Sequence, residues 1–354
     1  MVDSLVQKLI DARVVATPAH AHAQEVANMQ VGMVGLGKMG MNLVANMRDH
    51  DIEVVAFDLN DQARTEVGKY QVKAVASLDA LVMSLASPRI IWSMVPAGKP
   101  TAATIQQLAK LLSPGDVVID GGNSYYQDSI AHGKLLAAEG IHFFDVGTSG
   151  GMAGARANGN FMIGGDEEQF AQIEPLFKAI AAPGGYLYTG PVGSGHYLKM
   201  VHNGIEYGMM QAIGEGFDVL AHSPYAYDNA AVAKMWNHGS VIRSWLMELA
   251  GDAFSEDADL AKIQGIMHSS GEGAWTVEEA LRLHVATPVI ASALMMRYRS
   301  EEADTMTGKV VAALRNNLVG MQLISQLNVT EPIYALWCWM RATFWRMDGY
   351  DHCR

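Results

Sequence analysis

The sequence predicts an α/β Rossmann-like N-terminal domain followed by an all-α C-terminal domain. Short apolar runs closed by glycine-rich turns alternate with helical segments as far as Tyr188. Beyond it, the chain reads as helix, rich in Met, Ala and Leu, to about Leu318. Alternating strands and helices are typical of a parallel sheet with crossover helices. We therefore expect a dinucleotide-binding domain over residues 29–190 and a helical substrate and dimerisation domain over residues 191–320.

The two ends of the chain are expected to lie outside these domains. Charged residues interrupt residues 1–28, so this segment lacks the apolar core of a signal peptide. We interpret it as an extension before a natural start at Met29. Residues 321–354 are predicted to form an atypical, Trp-rich tail.

Composition excludes several classes of function. The 354 residues are 50% hydrophobic, and the net charge of -12 argues against nucleic acid or an anionic membrane as the main partner. No apolar run reaches the roughly 18 to 20 residues of a membrane span. Cys338 and Cys353, the two cysteines, form neither a disulfide framework nor a metal pattern, which favours the cytoplasm and predicts no metal site.

A glycine fingerprint follows the first predicted strand, Gln30–Val34, and opens a helix that continues through Met47. A GxGxxG motif in this context indicates a dinucleotide site, because its glycines allow a tight turn, close approach of a pyrophosphate and close helix packing. The predicted cofactor-binding residues of the motif are Gly35, Leu36, Gly37, Lys38, Met39 and Gly40.

A carboxylate closes the second predicted strand, Glu53–Phe57. Asp58 lies about 20 residues after the fingerprint, where a ribose-binding acid is expected, although a plain turn residue is the simpler interpretation. The next residues, Leu59, Asn60 and Asp61, are not basic. A 2′-phosphate would be repelled there, so the sequence favours NAD over NADP.

Three further strands are predicted, each followed by a glycine-rich turn. They span residues 89–95, 116–120 and 141–146, and their turns span residues 96–98, 121–124 and 147–151. Ligands of open α/β sheets bind beyond the carboxyl ends of strands. Glycine clusters alone are ordinary turn chemistry, but the Asn or Ser in the second and third turns favours a site.

One predicted helix concentrates polar groups on one face. Lys199, His202, Asn203 and Glu206 stand at positions i, i+3, i+4 and i+7, whereas Met200, Val201 and Ile205 are expected to turn away and pack. A solvated helix side is the simpler interpretation. Because apolar residues surround this face, we favour a binding site at the junction of the two domains.

Four segments together resemble 6-phosphogluconate dehydrogenase, in its short bacterial form, over roughly residues 29–320. They are residues 35–43, 120–124, 149–156 and 199–207. The first and third are shared with the wider β-hydroxyacid dehydrogenases, whereas the last is specific to the 6-phosphogluconate enzymes. The resemblance implies oxidation of 6-phosphogluconate at C3 by NAD(P), followed by loss of CO2 to give ribulose 5-phosphate. It implies no metal, a homodimer or homotetramer, and a small sugar-acid phosphate as the ligand.

The resemblance also implies roles for individual residues. Lys199 would be the general base for the C3 hydroxyl, and Glu206 would protonate C1 after decarboxylation. Burial would have to lower the pKa of the lysine and raise that of the glutamate. The implied substrate-binding residues are Asn123, Ser149, Gly150, Gly151, His202, Asn203, Tyr207 and Arg297. Further cofactor-binding residues are Val95, Pro96, Ala97 and Asn123.

Several positions depart from the family pattern. Met152 stands where longer members carry Glu, Ala274 where a basic phosphate ligand is common, and Met321 where short members place a histidine. These departures predict weaker phosphate binding. Two alternatives therefore stay open: a related β-hydroxyacid dehydrogenase acting on an unphosphorylated sugar acid, and a dinucleotide-binding protein with little activity.

Overall fold

A computed structural model of the chain describes residues 29–319. The predicted extension over residues 1–28 and the predicted tail over residues 321–354, which includes Met321, lie outside the described residues. One compact unit ends at Tyr298 and a second begins at Arg299. The first unit contains the sheet and most of the helices that follow it, and the predicted boundary near residue 190 stays a prediction.

Eight strands form a single sheet in the order β3-β2-β1-β4-β5-β6-β7-β8. They are Gln30–Val34 (β1), Glu53–Phe57 (β2), Lys73–Val75 (β3), Ile90–Ser93 (β4), Val117–Asp120 (β5), His142–Ser149 (β6), Gly159–Gly164 (β7) and Ala181–Gly190 (β8). Neighbouring strands are parallel except β6 and β7, which are antiparallel. The Rossmann-like fold class is thereby confirmed.

Helices connect the strands and then continue alone. Those that connect strands are Lys38–Asp49 (α1), Asp61–Glu66 (α2), Leu78–Met83 (α3), Lys99–Leu111 (α4), Tyr126–Ala137 (α5), Gly151–Arg156 (α6) and Glu167–Ile180 (α7), with a short 3-10 turn at Val67–Tyr70. Those after the sheet are Ser194–Ala221 (α8), Asn229–Trp236 (α9), Trp245–Glu256 (α10), Gly271–Arg282 (α11), Pro288–Ser300 (α12) and Met306–Val319 (α13). The predicted change from mixed to helical structure is confirmed for the described residues.

The predicted strands differ from the observed ones mainly at their ends. β1 and β2 match, β4 and β5 are shorter than predicted, and β6 continues further, to Ser149. β3, β7 and β8 were not predicted. β3 has three residues, and β8 contains Pro183 and three glycines, so neither carries a clear strand pattern.

The central strands are buried on both faces. On β4, Trp92 packs on one face with Phe161 and Phe177, while Ile91 packs on the other face with Phe143. Continuous apolar strands of this kind are expected when helices cover both faces of a sheet.

A buried carboxylate of the sheet holds the beginning of α8. Asp145 on β6 accepts hydrogen bonds from the main-chain N–H groups of Gly193, at 2.6 Å, and His196, at 2.7 Å. Free N–H groups and the dipole at a helix N-terminus both favour a negative charge. A Cβ on Gly195 would lie 2.3 Å from the carbonyl oxygen of Asp145, so this turn of α8 lies directly on the strand.

Candidate active site

A cleft of about 1710 Å³ lies between the carboxyl ends of the strands and the first half of α8. Most of the predicted site residues line it: Gly35, Gly37, Lys38, Met39, Gly40, Asp58, Val95, Pro96, Asn123, Ser149, Gly150, Gly151, Lys199, His202, Asn203 and Glu206. Trp245, Leu246 and Leu249 of α10 add an apolar wall that was not predicted.

The glycine turn leaves room for a dinucleotide. Gly35 has φ of 95°, and a Cβ on it would lie 2.8 Å from the carbonyl oxygen of Met94. A Cβ on Gly40 would lie 2.0 Å from the carbonyl oxygen of Gly35, whereas nothing lies within 4 Å of one on Gly37. The turn is therefore closed on the sheet side and open on the cleft side, which fits a pyrophosphate against the start of α1.

Asp58 is fixed at the edge of this turn. Its carboxylate accepts from the N–H of Leu36 at 2.6 Å and from the N–H of Asn60 at 2.7 Å. Arg64 is the first basic residue after Asp58 in the sequence. Its guanidinium donates to the main-chain oxygen of Asp58, at 2.6 Å, and to the carboxylate of Asp61. Asp58 thus presents a negative charge to the cleft.

Asn123 is carried by a second braced turn. Asp120, fully buried at the end of β5, accepts from the N–H of Gly122 at 3.1 Å and from the hydroxyl of Ser124 at 2.8 Å. These bonds hold the residues on both sides of Asn123, which lines the cleft.

The predicted polar face of α8 lies in the cleft. Lys199, His202, Asn203 and Glu206 all line it, and Met200, buried to 2% exposure, turns into the core as expected. The expectation for Val201 and Ile205 was wrong. Both line the cleft, and Ile205 is 53% exposed, because the cleft wraps around more of the helix than one polar stripe.

Lys199 lies against the sheet. A Cβ on Gly147 would lie 2.3 Å from the Cβ of Lys199, so the absence of a side chain on β6 lets the lysine stem approach the strand. Burial lowers the pKa of the amine, and the negative charges of Glu206 and Glu272 partly oppose that shift. A lysine with a lowered pKa in a cleft is suited to act as a base.

A chain of hydrogen bonds crosses the site. Ser149 Oγ lies 3.1 Å from His202 Nε2, and His202 Nδ1 lies 3.0 Å from Asn203 Oδ1. Asn203 Nδ2 donates to Glu272 Oε1 at 3.0 Å. Glu206 lies beside the chain, with its Oε2 3.9 Å from His202 Nδ1. Sequence reasoning missed Glu272, although it lies in the segment that contains Ala274.

Four of the predicted residues do not line the cleft. Leu36 is buried and contributes its N–H to Asp58, and Ala97 lies in the turn after β4 without reaching the cleft. Tyr207 is buried beneath the site, and the guanidinium of Arg297 stacks over its ring at 3.6 Å. Their roles toward a phosphate stay predictions.

Within residues 29–319 no group of three or more His, Cys, Asp or Glu side chains is arranged to hold a metal ion. No helix in the same range is both long and apolar enough to cross a membrane.

The fold and the cleft define a nicotinamide-dinucleotide-dependent oxidoreductase. Comparison with known families agrees: residues 30–193 match the NAD-binding domain of 6-phosphogluconate dehydrogenase, and residues 195–326 match its C-terminal domain. The chain therefore belongs to the 6-phosphogluconate dehydrogenase family, and the resemblance inferred from the four segments is confirmed.

Individual relatives support this assignment. YqeC of Bacillus subtilis (strain 168), a provisionally named 6-phosphogluconate dehydrogenase, is 54% identical over 82% of this chain and 98% of its own length. The NAD(+)-dependent decarboxylating enzyme of Haloferax volcanii is 42% identical over 81% of this chain and 96% of its own. The 6-phosphogluconate dehydrogenase structure of Plasmodium falciparum has a TM-score of 0.72 at 30% identity, covering 86% of this chain and 68% of that one.

Proposed function

We propose that this protein oxidises and decarboxylates 6-phosphogluconate, giving ribulose 5-phosphate and CO2 with reduction of NAD. The observation that carries the proposal is the cleft in which Lys199 and Glu206 of α8 face the dinucleotide turn. The name of the Haloferax volcanii relative includes 6-phosphogluconate oxidation, NAD(+) dependence and decarboxylation.

Each protein group has a definite task in this reaction. The neutral amine of Lys199 takes the proton of the C3 hydroxyl, and its lowered pKa makes this possible. A nicotinamide dinucleotide held by the glycine turn and Asp58 would supply the hydride acceptor for C3. The resulting 3-keto acid loses its carboxylate as CO2, and the electrons of that bond move toward the C3 oxygen, which takes the proton back from Lys199.

Glu206 completes the reaction by donating a proton to C1 of the enediol, while Lys199 removes the hydroxyl proton as the ketone forms. Glu206 lines the cleft, where it can reach the substrate to donate this proton. Asn123, His202, Asn203 and the turn Ser149–Gly151 surround the space left for the sugar acid.

NAD is the proposed cofactor rather than NADP. Asp58 is suited to accept hydrogen bonds from both ribose hydroxyls and to repel a 2′-phosphate, and Leu59, 89% exposed, offers no positive charge. Changing Asp58→Ser together with Leu59→Arg is expected to move the preference toward NADP. Comparison of kcat/KM with the two cofactors tests this, and a wild type that uses NADP better than NAD contradicts it.

A related enzyme acting on an unphosphorylated sugar acid is the second candidate. Among the described residues the Lys and Arg side chains lining the cleft are Lys38 and Lys199, and Ala274 packs against Tyr207 instead of supplying a cation. A phosphate dianion held with few cations loses charge-assisted hydrogen bonds. We therefore expect a raised KM for 6-phosphogluconate with hydride transfer retained.

The deciding experiment compares 6-phosphogluconate with gluconate, following NADH absorbance and released CO2 together. One CO2 per NADH with 6-phosphogluconate, and a much smaller kcat/KM with gluconate, is the expected result. Preference for gluconate supports the second candidate. NAD binding without turnover of either acid supports the weakly active binding protein and contradicts both proposals.

The proposal extends to assembly and location. Large apolar side chains are exposed on the helices after the sheet, including Val219, Met235 and Leu281, which suits a homodimer or homotetramer. Light scattering coupled to size-exclusion chromatography tests this, and a monomer contradicts it. The cysteine usage favours the cytoplasm, which cell fractionation tests.

A further inference from the structure

We propose that Glu272 is a positioning residue that sets the direction of every hydrogen bond in the chain from Asn203 through His202 to Ser149. The inference deepens the proposed function, because this chain forms one wall of the substrate space. It assigns a proton arrangement to the site and a hydrogen-bonding sense to Ser149.

The chain of hydrogen bonds begins at a buried carboxylate. Glu272 is 2% exposed and lies in the first turn of α11, where the helix dipole favours an ionised carboxylate. An ionised carboxylate accepts hydrogen bonds and cannot donate them. The amide group of Asn203 that lies 3.0 Å from Oε1 must therefore be its NH2, which turns its Oδ1 toward His202.

The amide of Asn203 then selects the tautomer of His202. Because Asn203 Oδ1 can only accept, the ring nitrogen 3.0 Å away, Nδ1, carries the hydrogen. The carboxylate of Glu206 lies 3.9 Å from the same nitrogen and favours a hydrogen there as well. In the neutral ring Nε2 is left as an acceptor.

Ser149 completes the chain. Its Oγ lies 3.1 Å from the accepting Nε2 of His202, so the serine hydroxyl donates its hydrogen to the ring. The lone pairs of the oxygen are then free for the cleft, which Ser149 lines. In the protein without substrate, Ser149 therefore presents an acceptor to the cleft.

The other oxygen of Glu272 distinguishes this residue from a structural glutamate. Its Oε2 is buried and has no hydrogen-bond partner among the described residues. Leaving a buried carboxylate oxygen unpaired is costly and needs an explanation. We infer that Glu272 is kept for the bond that it makes to Asn203, since a residue kept for stability would have both oxygens paired.

The test reads the histidine tautomer directly, in protein without substrate or cofactor. Protein labelled with 15N in histidine is studied by long-range 1H–15N correlation, at a pH where the rings are neutral, and His202→Gln assigns the signal of His202. The wild type is expected to show the Nδ1–H form. In Glu272→Gln the side-chain amide can accept or donate, so Nε2–H is expected to become populated.

A matched control lies on the same helix. Glu279 is also buried, and Glu279→Gln makes the same chemical change away from the cleft, so the tautomer of His202 should stay as in the wild type. With an active enzyme, Glu272→Gln is expected to lower kcat/KM about 10- to 100-fold, as when an outer partner of a histidine is removed, while Glu279→Gln stays near the wild type.

Three outcomes overturn the proposal: an Nε2–H or doubly protonated ring in the wild type, an unchanged tautomer in Glu272→Gln, or an equal change in Glu279→Gln. The first is decided on the wild type alone, so it does not depend on how the variants fold. A protein inactive on 6-phosphogluconate would contradict the proposed function while leaving the tautomer result interpretable.

Discussion

Two buried glutamates on α11 show two different uses of the same side chain. Glu279 accepts from the hydroxyls of Tyr126, at 3.2 Å, and Tyr197, at 3.0 Å. It also accepts from both Nε, at 2.7 Å, and Nη2, at 2.6 Å, of Arg282. The carboxylate of Glu272, seven residues earlier on the same helix, accepts one hydrogen bond within residues 29–319, from Asn203, and its Oε2 has no partner in that range.

The two glutamates differ in how completely each buried charge is paired, and this difference separates the structural glutamate from the functional one. At Glu279 the hydrogen bonds, those from Arg282 above all, lower the pKa to about 2, and the contacts tie α11 to α5 and α8. The carboxylate of Glu272 instead accepts from Asn203, which lines the cleft. Departures from full satisfaction are expected at functional sites, and the two ends of α11 show this difference.

Activity should fall most when the amine of Lys199 is removed from the cleft. Lys199→Met should lower kcat about 10²- to 10⁴-fold, the usual contribution of a general base, because no other amine of α8 lines the cleft. Steady-state kinetics measures it. Lys234→Met, on the exposed face of α9, is the matched control. Near-normal turnover in Lys199→Met would contradict the assignment of Lys199 as the general base.

The second effect is a loss of stability when Glu279 is changed. Glu279→Gln should lower the free energy of unfolding by on the order of 2 kcal/mol, because hydrogen bonds to a buried charge are lost. Urea denaturation measures the loss. The ion pair itself contributes little, since the Arg282 side chain is 61% exposed. An unchanged midpoint would mean that this cluster does not stabilise the helical region.

The same residue predicts a pH dependence of stability. Its pKa falls from 4.5 in the unfolded chain to about 2 in the fold. A lowered folded-state pKa means that the contribution is complete above the unfolded value and is lost as pH falls toward the folded value. The difference in stability between wild type and Glu279→Gln should therefore shrink between about pH 5 and about pH 2. A constant difference contradicts the assignment.

The smallest effect is a shift in the pH profile of activity. Lys199 must be unprotonated to act, so kcat/KM should fall as pH decreases through its pKa, which burial lowers and the charges of Glu206 and Glu272 oppose. Glu272→Gln removes one opposing charge, so this fall should move to lower pH. Glu279→Gln should leave it in place. A shift to higher pH, or equal shifts in both variants, would show that the charge of Glu272 does not raise the pKa of Lys199.

The parts of the site that were predictable from the sequence are local in the chain. The glycine turn, Asp58 and the four polar residues of α8 follow from spacing within one strand–helix unit or one helix. Glu272 and Asp145 could not be found this way. Asn203 and Glu272 are 69 residues apart, and Asp145 meets the start of α8 across 48 residues, so these pairings depend on how whole elements pack.

The fold shows the same limit. Alternating apolar runs predicted β1, β2, β4, β5 and β6, but not the short β3 and not the antiparallel pairing of β7 with β6. Pairing direction is set by connections rather than by composition. Tyr207 and Arg297 illustrate a different gap. Their side chains stack on each other at 3.6 Å, a contact between α8 and α12 that no local pattern encodes.

The contact between Gly147 and Lys199 determines which substitutions the site tolerates. The stem of the lysine rests on bare main chain of β6, just as Gly195 rests on the carbonyl of Asp145. The distance between the amine and the sheet is therefore set by the backbone, whose position changes little when neighbouring core side chains are exchanged. Apolar substitutions around α8 can accumulate without moving the amine, whereas a single methyl group at residue 147 would displace it.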